Sequence, residues 1–139
     1  MKKFILLSMF VGAIALFSNQ VNAQDLRNRS SAFGRIESNG DIRINGSIKG
    51  RFESNGDIRI NGSIKGKIES NGDIRKNGSI IGKVESNGDV RINGSIKGRI
   101  ESNGDIRKNG SIIGYAKGVD QRQAAVIYFF DFLDGLPID

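Results

Sequence analysis

The residues able to do chemistry are few, and they recur. Glu37, Ser38, Asn39 and Asp41 stand in the run E-S-N-G-D, and the same run returns at Glu53, Glu69, Glu85 and Glu101. Alternating oxygen groups ahead of a glycine are a feature of calcium loops, but an EF-hand loop places glycine sixth and a bidentate glutamate twelfth. Neither condition is met, so no metal site is assigned. Neighbouring carboxylates can also act as acid and base, which requires two groups whose surroundings drive their pKa values apart. Near-identical copies single out no such pair, and no catalytic residue is assigned. With 0 His and 0 Cys, the chain also lacks the usual general base near neutral pH, the thiol nucleophile and the soft metal ligands. It reads as a non-enzyme with no cofactor.

The remaining chemistry is cationic. Arg43, Arg59, Arg75, Arg91 and Arg107 recur at a fixed spacing, with Lys49 and Arg51 close to the first of them. These seven residues are the candidate contacts for an anion or a partner, such as acidic glycans or lipid head groups. Nucleic acid is disfavoured, because no Tyr or Phe interleaves with the cations to stack on bases. Glu37 and Asp41 alternate with them, as on a mixed solvated face.

What positions these groups is a repeat. From Arg35 to Gly114 the chain consists of five units of sixteen residues, RIESNGDIRINGSIKG being the first. Each unit holds two Asn-Gly pairs, such as Asn39-Gly40 and Asn45-Gly46. Asn-Gly tolerates the positive φ of a type I′ turn, so each pair signals a hairpin and helix is excluded here. Alternation places Ile42 and Ile44 on one face opposite Asp41 and Arg43. It likewise places Ile48, Gly50 and Phe52 opposite Ser47, Lys49 and Arg51. Where the tenth residue of a unit is Ile (Ile44, Ile60, Ile92), the fifteenth is Lys (Lys49, Lys65, Lys97). Where the tenth is Lys (Lys76, Lys108), the fifteenth is Ile (Ile81, Ile113). Duplication of a two-unit ancestor explains this swap, and so does one space that accepts one aliphatic group.

The ends differ from the body. Met1 to Ala23 reads as a secretory signal, with Lys2 and Lys3 ahead of an apolar run from Phe4 to Phe17 and small residues before Gln24. That run is shorter than the ~20 residues a spanning helix needs, so the remaining chain is not expected to be transmembrane. Residues 24–34 are a lead-in, 35–114 the repeat domain and 115–139 an apolar segment that completes the core. In that last segment Asp120 with Gln123 opens a helix in the manner of a capping box. Ala124 to Leu133 is then apolar except for Asp131, with a strand from Ile127 to Leu133 as the rival.

The unit with its IES-NG-D turn, together with SIIGYAKGV (Ser111 to Val119) and QAAVIYFFDF (Gln123 to Phe132), resembles the exported bacterial family of five-fold β-flower proteins. The resemblance implies an all-β fold of five 16-residue hairpins around a pseudo-five-fold axis, with the C-terminal helix packed on them, and it brings no activity. An open solenoid is the architectural rival. The functional expectation is a non-enzymatic interaction or structural module of the envelope, periplasmic or secreted, with an envelope or extracellular partner. The alternative is an anionic glycan or lipid surface held by the repeated Arg and Lys, and an oligomer is open to either.

Overall fold

The computed structural model describes residues 24–138. Its strands are β1 (Asp25–Asn28), β2 (Ala32–Ile36), β3 (Asp41–Ile44), β4 (Ser47–Phe52), β5 (Asp57–Ile60) and β6 (Ser63–Ile68). They continue as β7 (Asp73–Lys76), β8 (Ser79–Val84), β9 (Asp89–Ile92), β10 (Ser95–Ile100), β11 (Asp105–Lys108) and β12 (Ser111–Tyr115), followed by helix α1 (Gln121–Phe129). Each strand pairs antiparallel with its sequence neighbours, and β1 pairs with β12, so the sheet closes into a barrel. The all-β class and the terminal helix match expectation. Five hairpins around a five-fold axis do not. The lead-in folds as β1 and most of β2, giving the repeat a sixth hairpin, and the expected five-fold architecture is replaced by a closed twelve-strand barrel. The open solenoid is excluded by the same β1–β12 seam, where Arg27 stands opposite Tyr115.

The two Asn-Gly turns of a unit differ. Asn45 and Gly46 have φ of 51° and 86°, and each later unit repeats the pair, as a two-residue type I′ turn requires. In the other turn only the glycine is left-handed, Gly40 at 98°. There Glu37 N donates to Asp41 O at 2.8 Å and Gly40 N to Glu37 O at 2.9 Å, the pattern of a three-residue loop ending in a left-handed residue. A Cβ on Gly40 would collide with the Phe52 carbonyl oxygen.

These two turns impose conflicting parities on the strand between them. The I′ turn pairs Arg43 with Ile48, sending both outward, while the following hairpin pairs Phe52 with Ile58 inside. The conflict is resolved by a bulge between Ile48 and Gly50. The expectation that Ile48 shares the buried face with Gly50 and Phe52 is therefore corrected: Ile48 is 52% exposed and Phe52 4%.

Inside, Ile42, Ile58, Ile74, Val90 and Ile106 are completely buried. The lumen also receives α1, whose Ala124 to Tyr128 are buried. The close approach of the helical segment depends on strand glycines. A Cβ on Gly82 would stand 2.5 Å from the Phe130 ring, one on Gly98 2.6 Å from Phe129, and one on Gly66 2.8 Å from Phe132. Asp120 caps the helix as expected, its Oδ1 accepting from Arg122 N at 2.8 Å and Gln123 N at 3.1 Å. Gln121 Nε2 donates to Ile100 O at 2.9 Å, fixing the helix start to β10.

Candidate functional site

Among the described residues no group of His, Cys, Asp or Glu is arranged to hold a metal ion, so the search moves to the outer wall. There each repeated arginine is engaged twice. Arg43 Nε donates to Glu37 Oε2 at 2.6 Å and its Nη1 to Gly46 O at 3.1 Å. Arg59, Arg75, Arg91 and Arg107 do the same with Glu53, Glu69, Glu85 and Glu101 at 2.7, 2.7, 2.8 and 3.1 Å. Such half-exposed pairs contribute only ~0.2–1 kcal/mol each, but they neutralise the cations and tie the guanidinium to the turn. An anion arriving at Arg43 meets Glu37 already seated there.

The other two candidates are placed differently. Arg51 lies 3.7 Å from Asp41 across the β3–β4 pair and donates to Asn39 O at 3.2 Å. Lys49 is exposed at the bulge, where it shares with Ile44, Ile60, Phe132 and Leu136 the lining of a 200 Å³ cavity at the barrel mouth. The swapped positions thus border one space in this part of the barrel. In another unit the lysine at the tenth position, Lys76, donates from Nζ to Asp131 O at 3.0 Å and lies 5.1 Å above the Phe132 ring. The structure does not bring the seven candidates into one cluster. They are distributed around and along the wall.

What sequence parity missed is apolar. Ile48, Ile64, Ile80 and Ile96 are 52, 52, 53 and 51% exposed. They occupy one position of the repeat on alternate strands and form a belt on the outer face from β4 to β10. The signal was present in the turn spacing: a two-residue turn at Asn45-Gly46 forces Ile48 opposite the outward Arg43. On β8, Ile80 is followed by Ile81, which is partly buried against the core. Both border a 290 Å³ surface groove with Arg91 and Asn93.

A protein-family model described as Bactofilin: Polymer-forming cytoskeletal matches residues 47–120, just over half of the chain. The chain belongs to the bactofilin family. No curated protein and no solved structure matches it significantly. The bactofilin match covers β4 to the turn before α1, so it rests on the repeat itself. It replaces the family suggested by the β-flower resemblance. A cytoskeletal, polymer-forming family also overturns the exported envelope module, its glycan- or lipid-binding alternative and the periplasmic or secreted location. The signal-peptide reading of Met1 to Ala23 falls with them, and those residues lie outside the described ones. Bactofilins are a structural rather than an enzymatic family, and the repeated glutamates of this chain stand in ion pairs with its arginines. Among the described residues no helix is long and apolar enough to cross a membrane.

Proposed function

We propose that this chain is a non-enzymatic structural protein whose copies assemble with one another through the outer isoleucine belt. The belt carries the reading, and the polymer-forming description of the family supports it. A closed barrel has no unpaired strand edge, so growth by strand addition is not open to it. Contact must then be made by side chains, and large apolar ones left half in water are the natural means. Successive belt isoleucines stand two strands apart, roughly 10 Å at the usual strand spacing. A second copy offers the same pitch. The Arg–Glu pairs between them neutralise those arginines, so the cations left beside the belt are exposed lysines such as Lys49, Lys65 and Lys97. Arg59, Arg75 and Arg91 then act as partner contacts through their aliphatic stems. The groove bordered by Ile80 and Ile81 lies within this surface.

The test is Ile80→Glu. The residue is 53% exposed, so the variant is expected to keep the wild-type melting transition while failing to form the polymers that the proposal expects of the intact chain in sedimentation and electron microscopy. Polymers of unchanged length and critical concentration in Ile80→Glu, with the fold intact, would remove the belt from assembly.

A further inference from the structure

We propose that the five second turns, Asn45-Gly46, Asn61-Gly62, Asn77-Gly78, Asn93-Gly94 and Asn109-Gly110, are sites of spontaneous backbone-assisted deamidation, while the other five Asn-Gly pairs of the same chain are protected by the fold. In this reaction the backbone nitrogen of the glycine attacks the asparagine side-chain carbonyl carbon. A nitrogen–carbon bond forms, the bond from that carbon to Nδ2 breaks, and the proton lost by the glycine nitrogen is made up on the leaving nitrogen, which departs as ammonia. The resulting succinimide takes up one water and opens to aspartate or to isoaspartate. No oxidant, reductant or enzyme is required, and the only co-reactant is water.

The two classes of turn differ at both reacting groups. In the first turn the attacking group is held: Gly40 N donates to Glu37 O at 2.9 Å, and Gly56, Gly72, Gly88 and Gly104 donate to the matching glutamates at 2.9 to 3.0 Å. The group under attack is held as well. Asn39 Oδ1 accepts from Asp41 N at 3.0 Å, and its Nδ2 donates to Asp41 Oδ2 at 3.3 Å. Asp57, Asp73, Asp89 and Asp105 fix the oxygens of Asn55, Asn71, Asn87 and Asn103 in the same way, each at 3.0 Å. The flanking chain closes over these turns too, since a Cβ on Gly40 would meet the Phe52 carbonyl.

The second turns have none of this. Asn45 and Gly46 are both exposed, and nothing lies within 4 Å of the place a Cβ on Gly46 would take. Gly62, Gly78, Gly94 and Gly110 stand equally open. The two-residue turn leaves the amide of its second residue pointing to water, and among the described residues the asparagine side chain has no partner that would hold its amide. Reaching the attack geometry in the first class requires breaking two hydrogen bonds that the second class lacks. At ~0.7 kcal/mol or more each, that separates the rates by about tenfold or more.

The product changes the molecule. Every event replaces a neutral amide by a carboxylate and lowers the formal charge of +6 by one. All five sites lie at the barrel end where Lys76 and Lys108 directly precede two of the turns. Isoaspartate also lengthens the backbone of a two-residue turn by one carbon, and the left-handed pair that sets the hairpin twist is lost.

The experiment is incubation of the folded protein at mildly alkaline pH followed by tryptic peptide mapping with isoaspartate-resolved mass spectrometry. Cleavage after Arg43, Lys49, Arg51 and Arg59 places the two classes on separate peptides, Ile44 to Lys49 and Phe52 to Arg59. Deamidation of the second-turn peptides about tenfold faster than that of the first-turn peptides is expected. In urea the two classes should converge, because the protecting contacts exist only in the fold. Equal rates in the folded chain would overturn the proposal. So would a difference that persists undiminished in urea, since it would then come from the Ser or Asp after the glycine and not from the structure.

Discussion

Tyr128 holds the seam on which closure depends. Its hydroxyl donates to Arg27 O at 2.7 Å, accepts from Arg27 N at 3.0 Å and lies 3.2 Å from Tyr115 O, so one side chain of α1 touches both β1 and β12. Its ring meets Phe33 edge-on, with centroids 6.0 Å apart. Tyr128→Phe keeps the ring and removes the hydroxyl, leaving buried backbone groups short of a partner, and is expected to cost about 1–3 kcal/mol in urea denaturation. Burial pushes the phenol above its ordinary pKa of 10.0. The fold thus prefers the neutral form. Its contribution is complete below that ordinary value and is lost as pH rises beyond it, when the unfolded chain gains by ionising. Stability of the native protein should therefore fall more steeply through the alkaline range than that of Tyr128→Phe, and parallel curves would contradict this role. Nothing in the spacing of Tyr128 from Arg27 foretells the contact. By contrast, Asn45-Gly46 is legible at sight, because its turn chemistry is local.

Elements show the same division between local and distant causes. The strands from Asp41 to Tyr115 and the helix capped by Asp120 follow from turn residues, alternation and a capping side chain within a few positions of one another. β1 is different, for Asp25–Asn28 carries no repeat and no clear alternation. It becomes a strand because β12 would otherwise keep an open edge. The bulge at Lys49 lies between these cases: each turn is readable, but only their conflict shows that Ile48 must leave the interior. Helix α1 is the element on which the others rest. Without it, Ile42, Ile58, Ile74, Val90 and Ile106 would line a wet lumen. Removing Val119 to Asp139 is expected to abolish cooperative thermal unfolding of the barrel. A truncated chain melting within a few degrees of the intact one would mean that the wall stands alone.

At the scale of the whole molecule, strand number and lumen contents fix each other. Twelve strands at ~4.8 Å give a circumference of roughly 58 Å and a barrel at least about 18 Å across, before tilt widens it. A helix with side chains is about 10–12 Å wide, so it fits only where the facing wall is reduced to backbone. That is the arrangement at Gly98 and Gly114, whose missing side chains leave room for Phe129 and Tyr128 of α1, and Gly82 and Gly66 make the same room for Phe130 and Phe132 just beyond it. Deleting Arg51 to Gly66 removes one unit without breaking any turn type or touching α1. Ten strands would reduce the diameter to roughly 15 Å, about 3 Å less, and a packed interior cannot absorb such a change. In an open stack of units, stability is a sum of unit and neighbour terms, and the loss would be modest. A closed barrel around a helix gives another outcome: the shortened chain should lose its cooperative transition, or recover it only by associating with another chain that restores the missing strands. A monomer with a sharp transition slightly below that of the parent would show that the seam between β1 and β12 is not what holds the molecule together.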